Sequence, residues 1–418
     1  MPDNVFLRFN SAPDKNVDGS ESVSCPPLED RSIYGEILRV GFNGGLLELL
    51  LESPREMWEV EKEMLKGDHR ELLFSVVPHD EYEKFRAFLI SWHKALANSG
   101  IAIDFADSTT FLEENVVINQ EPYRFISLDP SSLEEREKKM AGVKRYSPRK
   151  DIEYYRQSGL QVESCALCND LAQVLDTKDI KEEGIDRLNF LAIFHTAEGD
   201  IVWLINKFPY FIGDTLILPF AHLKGSSEQE KERPLRRTSG FEMADVVPSR
   251  SLLEVVFAVC DRGNFVGYRN HAMAGKTIRG HDHFKVTPPF YPYFQRALDM
   301  IKEIKPGSSN SLYVQRAPLS PFDMMVFFSR DRSLLAKAVS LVLEKMESRG
   351  EVYTLSYIGG YLFILPRKVS EHRHNHKLTS SGLNFLAKEP FIPLAESLKA
   401  IPLAGEFNWE PYFDLLPA

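Results

Sequence analysis

Three strand-like segments in succession, between residues 188 and 222, constrain the fold more than any other feature of the chain. The segments LNFLAIFHT, IVWLINKFP and TLILPFAH are rich in β-branched and aromatic residues, and a stretch containing Gly-Asp separates each from the next. Segments of this kind favour β-strands, and glycine followed by aspartate favours a turn between them. We therefore predict that this region enters a β-sheet through three consecutive strands.

Helices and further strands follow. Residues 251–264 (SLLEVVFAVCDRGN) predict a helix that ends near Gly263, and FVGYRN and HDHFKVTPP predict two more strands. After the strand MVFFSR we expect a helix at RSLLAKAVSLVLEKMESRG, and Gly359-Gly360 between YTLSYI and YLFILPRK predicts a hairpin. Residues 79–100 carry apolar side chains at helical spacing and end in glycine, which is typical of an amphipathic helix. The predicted fold class is α+β.

The composition limits the partners that this chain can have. Its 418 residues carry a net charge of −10, which argues against bulk electrostatic binding to nucleic acid or to an anionic membrane. The N-terminus lacks a basic region followed by an apolar one, and the chain has no run of about 18 apolar residues. We expect a cytoplasmic protein whose partners are neither nucleic acids nor membranes.

The stretch GHDHFKV, residues 280–286, carries two histidines and a lysine at alternate positions. If it is a strand, His281, His283 and Lys285 share one face, while Asp282 lies on the other. Two imidazoles and an ammonium group cannot form a hydrophobic core, so they need water, an anion or a metal ion as neighbours. The stretch is therefore predicted to belong to a functional site.

A Cys-Ala-Leu-Cys motif at residues 165–168 offers two thiolates that can reach one tetrahedral ion, most commonly Zn²⁺. Such a site needs two more ligands, and the candidates are His222, just after the third strand, and His281. The alternative is a reduced pair of cysteines in the core. The chain has four cysteines, too few for a disulfide scaffold of this length.

Together these motifs resemble the histidine-triad (HIT-like) superfamily, and within it the branch of galactose-1-phosphate uridylyltransferase and the nucleotide phosphorylases. The family pattern is C-x-x-C, then N-x-x-P-x-x-x-G-x-x-L-x-x-P-x-x-H, then an Asn- and Gly-containing loop that leads into H-x-H-x-Q. Here the matching residues, within about 160–290, are Cys165, Cys168, Asn206, Pro209, Gly213, Leu216, Pro219, His222, Asn270, His281 and His283. The strand pair that ends in Leu365-Pro366-Arg367 resembles the second half of the same two-domain fold.

The resemblance implies a role for each matching residue. His283 would be the nucleophile and would form a nucleotidyl-histidine intermediate, with either a backbone carbonyl or a carboxylate orienting its other ring nitrogen. A structural zinc ion would be held by Cys165, Cys168, His222 and His281. The residues that would approach the substrate phosphates are Asn206, Asn270, Gly275, Lys276 and Arg279. Lys276 and Arg279 have a second interpretation, as exposed loop charges.

Lys285 departs from the family, which places glutamine or histidine at this position. A lysine could bind phosphate oxygens and lower the pKa of His283, yet it could also hold the intermediate too tightly. Three functions follow: transfer of a nucleotidyl group from a nucleotide sugar or dinucleoside polyphosphate to a phosphate-bearing acceptor, hydrolysis of such a compound, or nucleotide binding without turnover. Lys285 favours the third.

The predicted organisation is a flexible tail (1–30), a mixed extension (31–150), a HIT-like unit with the zinc and catalytic motifs (151–300) and a second HIT-like unit (301–418). TLILPFAHLKG and YLFILPRKVSEHR are alike, which indicates either an internal repeat or chance similarity between two amphipathic strands. A chain with two units could be a monomer or a homodimer. The histidines of EHRHNHK, at 372, 374 and 376, suit a second metal site, a substrate-facing loop or a solvated turn.

Overall fold

The structure is a computed structural model and describes, with short internal gaps, residues 89–103, 111–143, 152–175, 189–220, 247–287, 304, 311–368, 378–387 and 401–416. The helices are α1 (Pro130–Gly142), α2 (Ile152–Gln157), α3 (Ala166–Leu175), α4 (Arg250–Gly263), α5 (Arg332–Ser348) and α6 (Glu410–Phe413). The strands are β1 (Phe111–Ile118), β2 (Glu121–Leu128), β3 (Phe190–Thr196), β4 (Gly199–Ile205), β5 (Thr215–Pro219), β6 (Val266–Asn270), β7 (Phe284–Thr287), β8 (Tyr313–Arg316), β9 (Met325–Phe328), β10 (Val352–Ile358), β11 (Tyr361–Arg367), β12 (Leu378–Ser380) and β13 (Phe385–Ala387).

One large sheet organises the described residues. Its nine strands lie in the order β3-β4-β5-β7-β6-β10-β11-β9-β8, and each pair of neighbours is antiparallel. The strands β4, β5, β10 and β11 are buried along most or all of their length. The α+β prediction is confirmed.

Two helices cover one face of this sheet. Helices α4 and α5 contact each other, and α4 also contacts β5, β6, β7 and β10. The ring of Phe257 in α4 stacks on Tyr357 in β10 with centroids 4.4 Å apart, and the Tyr357 hydroxyl donates to the Asp261 carboxylate at 2.8 Å. Helix α5 begins where Asp331 caps it by accepting hydrogen bonds from the backbone N–H groups of Ser333 and Leu334.

Strand pairing shows which side chains point away from these helices. Directly paired residues in an antiparallel sheet share a face, and successive residues alternate. Gly267 faces α4, so the next row along the strands, formed by Lys285, Tyr268 and Ser356, points the other way. We call this second surface, which also carries Thr354, the far face.

The order of elements repeats across the middle of the sheet. In each half, two strands, one helix and two more strands follow one another along the chain, and in the sheet the last two strands stand in reversed order. The first half is β4-β5-α4-β6-β7 along the chain and β4-β5-β7-β6 in the sheet. The second half is β8-β9-α5-β10-β11 along the chain and β8-β9-β11-β10 in the sheet. The two sets meet where β6 pairs with β10. Both helices end alike: the N–H of Phe265 bonds to the carbonyl of Cys260, and that of Glu351 to the carbonyl of Met346, each at 2.9 Å.

The predicted strands, the helices at 250–263 and 332–348 and the Gly359-Gly360 hairpin are confirmed. Helical residues between 89 and 98 end at Gly100, whose φ of 71° suits glycine. The prediction of a strand over HDHFKV was wrong for its first half, because β7 begins at Phe284 and the backbone of residues 281–283 is irregular. The structure also adds the hairpin β1–β2, which turns at Asn119-Gln120 with φ of 51° and 69°.

Several predictions lie outside the described residues. These are the flexible tail, most of the extension, His222, Gly275, Lys276, Arg279 and the histidines at 372, 374 and 376. Within the part of the chain that is described, no helix combines the length and the apolar character needed to cross a bilayer.

Substitution Gly267→Ala should destabilise the fold, because an added Cβ would lie 3.0 Å from Val256 Cγ1 and 3.1 Å from Cys260 Sγ. We expect overpacking between α4 and β6 to cost about 1–3 kcal/mol in urea denaturation. Gly142→Ala is the matched control, since a Cβ there meets nothing within 4 Å. A similar free energy of unfolding for the two variants would contradict the close packing of α4 on the sheet.

Candidate functional site

His281 lies at the centre of a buried cluster of metal-ligating side chains. Its Nδ1 atom is 3.4 Å from Cys165 Sγ and 3.5 Å from Cys168 Sγ, and all three residues are buried. Zinc bonds of about 2.3 Å to sulfur and about 2.0 Å to nitrogen, in a tetrahedron, separate the two ligand atoms by about 3.5 Å. The three side chains therefore have the spacing of ligands to one ion.

The other ring nitrogen of His281 shows which tautomer is present. His281 Nε2 is 2.8 Å from the carbonyl oxygen of Pro219. A carbonyl only accepts, so Nε2 carries the proton and Nδ1 turns its lone pair toward the two sulfurs. This arrangement is typical of histidines that bind metal through one nitrogen and donate from the other.

The two cysteines come together because helix α3 starts between them. Cys165 lies just before α3 and Cys168 in its first turn, and Cys165 is anchored by its own N–H to the carbonyl of Gln161 at 2.9 Å. The hydrogen bond with Cys165, together with burial, raises the pKa of the Cys168 thiol above its usual range. The Cys168 thiol is therefore neutral without a cation, and a bound cation would favour the thiolate.

A buried ion pair locks the residue between the two histidines. Asp282 Oδ1 accepts from Arg269 Nε at 2.6 Å and from the backbone N–H of His283 at 3.0 Å. The side chains of Arg269 and Asp282 are 0% and 4% exposed. The pair connects the irregular segment before β7 to the neighbouring strand β6. Because Asp282 also accepts from the His283 N–H, the pair fixes the backbone of His283.

His283 is oriented by a backbone carbonyl, one of the two alternatives that the sequence left open. Its Nδ1 is 3.0 Å from the carbonyl oxygen of His281. Since a carbonyl only accepts, Nδ1 carries the proton and the lone pair stays on Nε2. His283 is half-buried, unlike His281. A neutral imidazole held in this tautomer is suited to nucleophilic attack through Nε2.

Asn270 ends β6, the strand that pairs with β7. Strand β6 pairs Tyr268 with Lys285, and β7 begins just after His283. The Asn270 side-chain oxygen accepts from the Thr354 hydroxyl at 3.1 Å, across the β6–β10 junction. The predicted substrate residue Asn270 and the predicted nucleophile His283 thus lie on adjoining segments, and Thr354 is a contact that sequence motifs did not indicate.

Lys285 is paired with an acidic residue that the sequence analysis missed. Its Nζ atom is 3.3 Å from Asp214 Oδ2, and Asp214 also accepts from Asn206 Nδ2 at 2.8 Å. Asp214 follows Gly213, whose φ of 78° needs a glycine and brings the loop into β5. The lysine charge is therefore compensated by a fully buried carboxylate. Asn206 holds that carboxylate in place through its own hydrogen bond.

The structure thus brings together the predicted residues Cys165, Cys168, His281, His283, Asn270, Lys285 and Asn206 on adjoining elements. Asn206 bonds to Asp214 and to the backbone N–H of Phe208, so in this structure it positions the loop. Arg269 and Asp214 could not be predicted from the sequence, because their roles depend on distant partners. Arg269 pairs with a residue 13 positions away and Asp214 with one 71 positions away.

Comparisons with known proteins give a limited result. No family model matches the chain, and no curated protein matches its sequence. Among solved structures, the crystal structure of yeast Ap4A phosphorylase Apa2 in complex with AMP is similar with a TM-score of 0.39 and 14% identity, over 76% of this chain and 97% of that one. The crystal structure of the same enzyme in complex with Ap4A has a TM-score of 0.40 and 11% identity, over 74% of this chain and 90% of that one.

Replacing Cys168 by serine should lower the metal content of the purified protein, because one of three buried ligands loses its thiolate. We expect wild type to hold close to one ion per chain by elemental analysis, and Cys168→Ser to hold much less. Cys260→Ala is the matched control, because Cys260 is also buried but lies in α4 away from the cluster. Equal metal content in all three proteins, or none in wild type, would contradict the assignment.

Breaking the Arg269–Asp282 pair should destabilise the protein strongly. Asp282→Asn leaves a buried guanidinium without its carboxylate, and we expect a loss of about 3–5 kcal/mol in urea denaturation. The control Asp414→Asn removes an exposed carboxylate at the end of α6 and should change stability by no more than about 0.5 kcal/mol. A loss as small as that of the control would show that the pair does not hold the segment.

Proposed function

We propose that the protein is a nucleotidyltransferase or phosphorylase of the HIT-like type, which acts through a nucleotidyl-histidine intermediate at His283. The observation that carries the proposal is the 3.0 Å hydrogen bond from His283 Nδ1 to the His281 carbonyl. It leaves Nε2 as a lone-pair donor on a half-buried side chain, in the segment that leads into β7. The substrate would be a nucleotide sugar or a dinucleoside polyphosphate.

The reaction would proceed by two displacements. In the first, the Nε2 lone pair of His283 attacks the α-phosphorus, the Nε2–P bond forms, and the P–O bond to the leaving phosphate breaks with its electron pair on that phosphate. The ring is then cationic, and Nδ1–H stays bonded to the His281 carbonyl, which stabilises the charge. In the second, a phosphate acceptor attacks phosphorus and the Nε2–P electron pair returns to His283.

Lys285 would interact with the nonbridging oxygens of the transferred phosphoryl group, as a positioned cation. The buried carboxylate of Asp214, 3.3 Å away, reduces the net charge that the intermediate meets. A compensated lysine is closer in charge to the glutamine of the transferase pattern than an isolated one would be. This supports turnover over nucleotide binding alone.

The cluster of Cys165, Cys168 and His281 would hold a structural zinc ion, with His222 as the fourth ligand that the resemblance implies. The ion would hold the His281 ring in place and so steady the residue whose backbone carbonyl orients His283. The steps at phosphorus described above use the chain's own residues.

We further propose that the chain contains two related units, 151–300 and 301–418, as the repeated order of strands and the equivalent ends of α4 and α5 suggest. The sheet passes from one unit to the other through β6 and β10 within a single chain. A monomer would then carry a complete site, and dimerisation would not be required for activity.

Intact-mass spectrometry tests the proposal directly. The protein is mixed with UDP-, GDP- and ADP-sugars and with dinucleoside polyphosphates, without an acceptor. We expect a mass increase of one nucleoside monophosphate in wild type, which would also identify the base, and no increase in His283→Ala. The control His195→Ala removes an imidazole from β3, at the edge of the sheet, and should label like wild type.

An adduct that persists in His283→Ala would place the nucleophile elsewhere. Tight nucleotide binding with no adduct from any donor would favour a binding protein. An adduct that water removes as fast as phosphate does would favour a hydrolase.

A further inference from the structure

Arg367, at the end of β11, differs from the other buried arginines that the structure describes. Arg269 pairs with Asp282, Arg332 pairs with Asp261, and Arg136 donates to two backbone carbonyls. Arg367 is 6% exposed, and its contact among the described residues is a weak one, from Nη1 to the Thr354 hydroxyl at 3.4 Å. Its Nε atom has no hydrogen-bond partner in that part of the chain.

An arginine in this environment needs an anion. Burial lowers the pKa of Arg367 to about 10, so the guanidinium still carries its charge at neutral pH. Burying a charge without a partner costs several kcal/mol, and for a guanidinium the partner is a carboxylate or a bound anion. No carboxylate pairs with Arg367 among the described residues. A bound anionic ligand would supply the negative charge that these residues do not.

The guanidinium lies on the far face of the sheet. Tyr357 packs on α4, so Ser356 and Thr354, at the alternating positions of β10, point away from the helices. Arg367 bonds to Thr354 and therefore belongs to the same surface. The Ser356 hydroxyl there is fully buried and likewise lacks a partner within the described chain. Arg367 Nε and the Ser356 hydroxyl thus both lack partners within the described chain, and they flank Thr354 on one face.

A row of contacts runs from Arg367 toward the segment that carries His283. Arg367 donates to Thr354, Thr354 donates to Asn270, and Asn270 ends β6, which pairs with β7. Strands β10 and β7, the second of which begins just after His283, are two strand spacings apart, which is about 10 Å. This separation suits a phosphate that is connected to, or displaced from, the reacting phosphorus without being the reacting group itself.

We propose that Arg367, assisted by Ser356, binds a phosphate group on the far face. The identity of this phosphate rests on the proposed function: it is the phosphate of the leaving group in the first displacement and of the acceptor in the second. The two use one site because the second displacement reverses the geometry of the first. The planar guanidinium offers the two parallel N–H donors that phosphate oxygens accept.

The test is a calorimetric titration of the full-length protein with sodium phosphate and with sodium pyrophosphate, in the absence of nucleotide. Arg367→Met keeps the length and apolar stem of the side chain and removes the charge. We expect it to bind either anion about 10- to 100-fold more weakly than wild type. Lys368→Met is the matched control: it removes a neighbouring positive charge that is exposed and paired with Glu406, and should bind like wild type.

Thermal unfolding separates this role from a structural one. Without anions, Arg367→Met should melt at or above the wild-type temperature, because a buried charge without a partner is lost. Added phosphate should raise the melting temperature of wild type and Lys368→Met, and leave that of Arg367→Met unchanged. Wild-type affinity in Arg367→Met, or an equal loss in Lys368→Met, would overturn the proposal.

A second variant applies if Arg367→Met fails to fold. Arg367→Lys keeps the charge but loses the paired donors, and should fold and bind pyrophosphate measurably more weakly; unchanged affinity would overturn the proposal. The adduct assay on His283 is a separate measurement. If phosphate binding depends on Arg367 but no adduct forms, the proposed function is rejected and the phosphate site is kept. If an adduct forms but phosphate binding does not depend on Arg367, the proposed function is kept and the phosphate site is rejected.

Discussion

The backbone and side chain of His281 connect every part of the candidate site. Its Nδ1 faces the sulfurs of Cys165 and Cys168, its Nε2 donates to the Pro219 carbonyl, and its own carbonyl accepts from His283. Each contact removes a rotational freedom that His281 or His283 would otherwise have. A histidine that attacks phosphorus must present one nitrogen in one protonation state, and a fixed backbone carbonyl provides both conditions.

Charge compensation beneath the far face is the second constraint. Lys285 is matched by the buried carboxylate of Asp214, and Arg269 by that of Asp282. These pairs hold the loop before β5 and the segment before β7 without leaving an excess positive charge near His283. Arg367 has no such carboxylate among the described residues and lies on the far face, which is why we propose it as a ligand site and not as another structural pair.

Residue type and local periodicity explain which predictions succeeded. The strands from β3 to β7, helices α4 and α5 and the Gly359-Gly360 hairpin are defined by signals within a few residues, so they were predictable. The β1–β2 hairpin was missed because its turn uses Asn119-Gln120 in a conformation that usually calls for glycine. The strand predicted over His281 and His283 failed because the Asp282–Arg269 pair and the cysteine cluster, both formed with distant residues, override the alternating pattern.

The sequence by itself determined the α+β class, and it indicated the candidate ligands in C-x-x-C and H-x-H and, through the family resemblance, His283 as a predicted nucleophile. Tertiary structure alone decided that a carbonyl orients His283, that Asp214 compensates Lys285, and that Arg367 lies in line with Asn270. Contacts of this kind join residues that are separated by up to 116 positions along the chain. They depend on the register between strands and on which helix covers which face, and no local pattern of residues encodes either.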